Sequence, residues 1–181
     1  MRHVFTLLCL LILTTPVLGQ ERLRTSEGVI SFDASSPLED IVAVNNKVNG
    51  ILELQSGEIA VVLLIKDFKF RKKLMQEHFN ENYMESEAYP KAYFTGTIVD
   101  FVLDELGTQN QKFQLTGELT IHGVTQTMRD SIQLRKNGER IICKMNFVVR
   151  TEDHKIKVPR ILFKKIAQEV NVRAELGLTE E

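Results

Sequence analysis

The chain has 181 residues with 23 basic and 24 acidic side chains, so its net charge is close to zero. Nucleic-acid binding requires a clustered basic face, and this balance therefore excludes nucleic acid as an expected partner. The length suits one domain with a substantial apolar core.

The N-terminal segment has the layout of a secretory signal peptide. Arg2 precedes the apolar run Val4–Leu13, and small residues follow as far as Gly19. We expect residues 1–19 to be removed and residues 20–181 to form a single domain in the periplasm or outside the cell. The apolar run is shorter than the ~20 residues that a spanning helix needs, and no second such run follows, so no stable membrane span is expected in the mature chain.

Strict alternation of apolar and polar residues dominates the rest of the chain. Between residues 112 and 121, Phe113, Leu115, Leu119 and Ile121 alternate with polar side chains, which is typical of a half-buried β-strand. Eight strands are predicted, at about residues 27–34, 47–55, 58–68, 91–103, 110–122, 127–136, 139–150 and 169–178. The third differs from the others, because Ile59–Ile65 is apolar on both faces.

Turn and helix signals separate these strands. Ser56-Gly57 and Asn137-Gly138 predict tight hairpins, the second of them a type I′ turn. Three short helices are expected: one capped by Ser36, one over residues 68–79 and one over residues 160–168.

Eight antiparallel strands with one apolar face leave no exposed edge if they close into a barrel. The sequence therefore predicts an all-β fold, an antiparallel eight-stranded barrel with two or three short helices. A barrel of eight strands either fills its lumen with side chains or encloses one small ligand.

Two segments carry a resemblance to a known family. Gly117–Thr125, which reads GELTIHGVT, resembles the G-x-L-T-(I/L)-x-G-V-T motif of the YceI-like proteins. Glu77–Gly96 is similar to that family's histidine-containing helix end, followed by Tyr-Pro and a strand of the form A-x-F-x-G. The chain departs from many members at Gly28–Pro37, where the family's opening Trp and His-Ser pair is absent.

The resemblance implies an extended, lipocalin-like barrel that is secreted to the periplasm and holds a polyisoprenoid or fatty acid derivative. Combined with the alternation, it predicts a binding site for such an apolar lipid, lined by Phe94, Ile98, Phe113, Leu115, Leu119, Met145 and Phe147. One alternative is a non-catalytic envelope or stress-response interaction protein whose barrel is filled, and another is an enzyme that acts on a bound lipid. The sequence leaves open whether the protein forms a homodimer.

The reactive side chains favour structural roles. The histidines of the mature chain, His78, His122 and His154, show no spacing typical of a zinc site, so no metal site is predicted. Cys143 lies on the apolar face of a strand. After the leader is removed it is the only cysteine, which excludes an intramolecular disulfide. No Gly-x-Ser-x-Gly motif occurs. No catalytic residue and no cofactor are therefore expected.

Overall fold

The computed structural model describes residues 21–158 and 166–180. The strands are β1 Arg22–Asp33, β2 Val42–Glu53, β3 Glu58–Leu64, β4 Lys69–Phe70, β5 Lys91–Ile98, β6 Gln111–Ile121, β7 Val124–Asn137, β8 Arg140–Arg150 and β9 Glu169–Leu178. One α-helix, α1 Lys73–His78, lies in the described part of the chain and continues into a π-turn at Phe79–Tyr83. Short 3₁₀ turns occupy Ile65–Asp67, Leu103–Glu105 and Glu152–His154.

Eight of these strands form a closed antiparallel barrel, as the alternation predicts. The order around the barrel is β1-β9-β8-β7-β6-β5-β3-β2, and pairing between β1 and β2 closes the ring. Two register shifts interrupt the β1–β2 ladder on either side of Gly28. Such bulges increase local bending and twist, which a barrel wall requires.

The short strand β4 lies outside the ring and pairs with Ala43 and Val44, near the start of β2. It takes over where β3 leaves the ladder, since β3 pairs only with residues 49–52 of β2. Asn45 lies at this junction and is fully buried. Its Nδ2 donates to the carbonyl of Leu64 at 3.0 Å, and its Oδ1 accepts from the amide of Lys47 at 2.8 Å, so the side chain satisfies backbone groups that the ladder leaves unpaired.

The predicted helix at Ser36 is wrong. Residues 36–39 form a tight turn in which the amide of Ser36 donates to the carbonyl of Glu39 at 2.9 Å. Asp33 and Ser35 stabilise this connection, because their side-chain oxygens accept from the amides of Ser35 and Ile41, both at 2.8 Å. The pairing of β1 and β2 is continued by the amide of Ala34, which donates to the carbonyl of Ile41 at 2.9 Å, so the connection closes as a turn and not as a helix.

The second predicted helix begins later than expected, and the third lies largely outside the described residues. Phe68, Lys69 and Phe70 are extended, because the last two of them pair with Val44 and Ala43 of β2. The helix starts only at Lys73. Residues 159–165, which contain most of the third predicted helix, are not among those described.

The hairpin turns agree with the predicted positions more closely than with the predicted types. The turn between β7 and β8 comprises Gly138 and Glu139, since Asn137 pairs with Arg140, and of its central residues only Gly138 has a positive φ. A type I′ turn instead joins β6 to β7, where His122 and Gly123 have φ values of 52° and 70°.

Candidate functional site: an apolar lumen

The end of the barrel that carries the β6–β7 turn and α1, which we call the upper end, encloses a cavity of about 530 Å³. Its walls are the inward faces of β1, β8 and β9 together with the segment from Ile65 to Met84, which folds over the barrel end. Volumes of 300 to 1,000 Å³ are typical of pockets that hold small organic molecules. The cavity reaches the surface beside α1, where the exposed side chains of Lys72, Leu74 and His78 line its edge.

Four phenylalanines form one cluster in the wall of this cavity. Phe32 of β1 contacts Phe68 and Phe79 with ring centroids 5.1 and 5.4 Å apart, and Phe70 contacts Phe79 at 5.0 Å. Edge-to-face and stacked rings at these separations attract each other beyond the burial of their area. The cluster therefore holds β4 and the π-turn against the barrel and gives the cavity an aromatic wall.

A second cavity of about 90 Å³ lies deeper in the barrel. Five residues line both cavities, so the two are adjoining parts of one lumen: Ile30, Leu63, Ala92, Leu119 and Phe147. All five side chains are apolar, so the boundary between the cavities is apolar as well.

The predicted binding residues fall into three groups along the lumen. Leu119 and Phe147 line both cavities, and Phe94, Leu115 and Met145 line the deeper one. Ile98 and Phe113 line neither cavity. They lie in the packed lower end of the barrel, where Phe113 contacts Phe101 with ring centroids 6.3 Å apart.

Of the residues that line the larger cavity, the predicted binding site included only Leu119 and Phe147. Ile121, Val149 and Val172 also line it, on the inward faces of β6, β8 and β9. Alternation places them on the apolar faces, but it does not indicate that the binding site extends to these strand ends. The phenylalanine cluster gives a weaker signal, because only the concentration of Phe68, Phe70 and Phe79 in one short segment sets it apart in the sequence.

Polar side chains in the larger cavity gather mainly at its surface edge. Lys72 Nζ lies 2.7 Å from Glu39 Oε1, which joins the start of α1 to the β1–β2 turn. The phenol of Tyr83 also lines the cavity, and its burial raises the pKa of this group above the ordinary value. Tyr83 therefore presents a neutral hydroxyl at neutral pH.

Two histidines tie loops together at the same end of the barrel. His122 Nδ1 lies 3.2 Å from the carbonyl of His154, and its Nε2 lies 3.0 Å from Glu85 Oε2. The ring of His122 also contacts Tyr89, with centroids 4.4 Å apart. His154 is buried, and its Nδ1 lies 3.0 Å from the carbonyl of Val124. These partners support the structural roles that the sequence predicts for both histidines.

Within residues 21–158 and 166–180, no group of three or more His, Cys, Asp or Glu side chains could hold a metal ion. Cys143 faces the deeper cavity, and burial raises the pKa of its thiol to about 12. None of the helices in these residues is long and apolar enough to cross a membrane.

A closed antiparallel barrel of eight strands around an apolar lumen defines the class as a lipocalin-like barrel. The chain belongs to the YceI-like domain family, because the family model matches residues 22–178. This match covers the whole barrel and confirms the resemblance carried by Gly117–Thr125 and Glu77–Gly96.

Similar proteins agree with this assignment. A polyisoprenoid binding domain from Saccharophagus degradans, implicated in plant cell wall breakdown, has a TM-score of 0.77 at 14% identity, covering 90% of this chain and 99% of that one. BcnA from Burkholderia cenocepacia has a TM-score of 0.71 at 14% identity, covering 84% and 96% of the two chains. The UPF0312 protein plu2095 of Photorhabdus laumondii is 28% identical over 113 residues, or 62% of this chain and 47% of that protein. The matched region thus spans about half the length of that relative.

Proposed function

We propose that this protein is an exported carrier that holds a long, apolar, single-chain lipid, of the polyisoprenoid or fatty acid type, in the lumen of its barrel. The observation that carries this proposal is the cavity of about 530 Å³ with its mostly apolar wall. Burial of one methylene group contributes about 0.8 kcal/mol, so a chain of ten or more carbons offsets the usual free-energy cost of association.

The arrangement of polar groups suits such a ligand. Lys72, Glu39 and His78 lie at the surface edge of the cavity, while the deeper wall is apolar. A lipid with one polar end could keep that end near solvent and place its chain in the lumen. The polyisoprenoid-binding domain of Saccharophagus degradans has the same fold, which supports a lipid as ligand.

The alternative is an interaction protein whose barrel is filled with side chains. The lower end of this barrel is filled in that way, but the upper end encloses the large cavity. We therefore favour binding in the lumen, with a role in carrying or sequestering the lipid and not in catalysis.

We also propose that residues 1–19 direct export and that the mature chain acts in the periplasm or outside the cell. The apolar run Val4–Leu13 and the small residue Gly19 support this proposal. N-terminal sequencing of the exported protein should recover a start near Gln20, and recovery of Met1 would count against it.

Filling the boundary between the two cavities tests the proposed binding site. Ala92 lines both cavities, so Ala92→Trp should place an indole in the lumen and weaken the binding of cis-parinaric acid at least tenfold. Binding is measured by the fluorescence increase of the probe, and circular dichroism verifies that the variant is folded.

The matched control is Ala60→Trp on the neighbouring strand β3. Ala60 is exposed, so its indole should face solvent and leave the affinity for the probe unchanged. The natural sequence has no tryptophan, so each variant also carries a single fluorescent reporter. If Ala92→Trp binds the probe as tightly as the natural protein does, the lipid does not occupy this lumen and the interaction-protein alternative becomes the better one.

A further inference from the structure

The lumen ends well above the lower end of the barrel. The inward side chains of Leu52, Ile98, Leu134 and Leu178 are each less than 2% exposed and line neither cavity. Four different strands contribute these residues, so the lower end is a continuous plug of packed side chains. A ligand that enters from the side of α1 must therefore stop above this plug.

Phe94 is the last inward side chain of β5 that lines the deeper cavity. Ile98 follows on the same face of β5 as part of the plug. Gly96, which lies between them on this face, pairs with Gly117 across β5 and β6.

The two glycines leave room for the ring of Phe94. A Cβ atom at Gly96 would lie 2.5 Å from Cζ of Phe94, and one at Gly117 would lie 2.6 Å from the same atom. Both distances are shorter than real side chains allow, so the ring occupies the space that two ordinary side chains would fill. The F-x-G of β5 and the first glycine of GELTIHGVT thus act together to seat one aromatic ring against the wall of the lumen.

The volume of the two cavities limits the length of an enclosed chain. A cavity of about 150 Å³ holds one benzene molecule, which corresponds to about 25 Å³ per carbon atom. At that ratio the cavity of about 530 Å³ holds a chain of about 20 carbons, and the deeper cavity of about 90 Å³ adds a few more.

We propose that the ring of Phe94, seated over Gly96 and Gly117, is a length stop that limits the enclosed lipid chain to about 20 to 25 carbons. This inference rests on the proposed function and adds a specificity-determining residue to it. A chain of about 40 carbons would leave roughly half of its length outside the lumen and would gain no affinity from that part.

The test is a series of saturated fatty acids from about 12 to about 30 carbons, delivered from cyclodextrin, that displace cis-parinaric acid. For the natural protein, each enclosed methylene should raise the affinity about fourfold, and the affinity should stop rising at about 20 to 25 carbons. A continued rise to the longest acid would overturn the length stop while leaving binding in the lumen intact. Failure of every acid to bind would overturn the proposed function as well.

Variants of Phe94 separate this stop from a general limit of the barrel. Phe94→Ala removes a ring the size of benzene, so the chain length at which affinity levels off should increase by about six carbons. Phe94→Leu should give a smaller increase in the same direction, and it retains more packing if the alanine variant folds poorly.

Phe113→Ala is the matched control, because the same ring is removed from β6 at a position that lines neither cavity. It should leave the limiting chain length unchanged. The inference is wrong if Phe94→Leu and Phe94→Ala keep the limit of the natural protein, or if Phe113→Ala shifts the limit as much as they do.

Discussion

At the scale of single residues, Cys143 shows how the lumen controls chemistry. The thiol is 2% exposed, and burial raises its pKa to about 12 from an ordinary value near 9.0. The reactive form of a cysteine is the thiolate, so this side chain is an inert part of the wall at neutral pH. The sequence predicts this role correctly, because Cys143 falls on the apolar face of its strand.

We expect Cys143 in the chain starting at Gln20 to resist Ellman's reagent at pH 8 in the folded state and to react fully in guanidinium chloride. The raised pKa also favours the folded state below about pH 9, and this contribution should be lost as the pH rises toward 12. Denaturant titrations should show a smaller loss of stability over that range for Cys143→Ala. Rapid labelling of the folded protein would contradict the burial of the thiol.

Thr120 shows the limit of alternation at the same scale. The pattern places it on the polar face of β6, yet it is only 5% exposed. Its hydroxyl lies 2.7 Å from that of Thr125, its neighbour across the type I′ turn. Alternation indicates which face of the strand a side chain occupies, but it does not indicate whether another segment covers that face.

At the scale of elements, the turn between β6 and β7 organises the upper end of the barrel. His122 and Gly123 both have positive φ. Glycine adopts this left-handed conformation freely, and histidine and asparagine are found in it more often than most other residues. The turn projects the His122 ring toward Glu85 of one loop and the His154 carbonyl of another. One side chain thereby fixes two loops beside the cavity.

Replacement of His122 by Asn should release these loops without breaking the turn, since Asn-Gly is the preferred type I′ pair. The shorter side chain cannot reach both partners. Hydrogen exchange should therefore increase in peptides that cover residues 84–90 and 151–156, while the strands of the barrel remain protected.

His78→Asn serves as the control, because His78 is an exposed residue at the end of α1. It should leave exchange at residues 151–156 unchanged. If His122→Asn does so too, the hydrogen bonds of His122 do not hold that loop.

At the scale of the whole molecule, a ligand in the lumen should couple binding to stability. A lipid that binds only the folded barrel raises the free energy of unfolding by about 2.7 kcal/mol at a concentration one hundred times its dissociation constant. We expect stearic acid to produce such a rise in denaturant titrations of the natural protein. Ala92→Trp should show little or none, and an equal rise in both proteins would place the binding outside the lumen.

The prediction of the barrel rested on the alternation of apolar and polar side chains. A strand has a period of two, so the faces of β6, β8 and β9 follow from local order alone, and five of the seven predicted binding residues line a cavity. Ile98 and Phe113 line neither cavity, because alternation does not indicate how far along the barrel the lumen extends. That extent depends on how side chains from several strands pack at each level.

The segments between strands were decided by tertiary contacts. Residues 68–70 are extended because β2 offers free backbone groups there, and the turn at Ser36 forms because β1 and β2 pair closely on either side. Local propensity contributes too little free energy to outweigh such pairing. The sequence by itself determined the eight strands of the barrel, their inward faces and the family of this protein. Only the tertiary structure decided where the lumen opens and where it stops, because both depend on contacts between residues far apart in the chain.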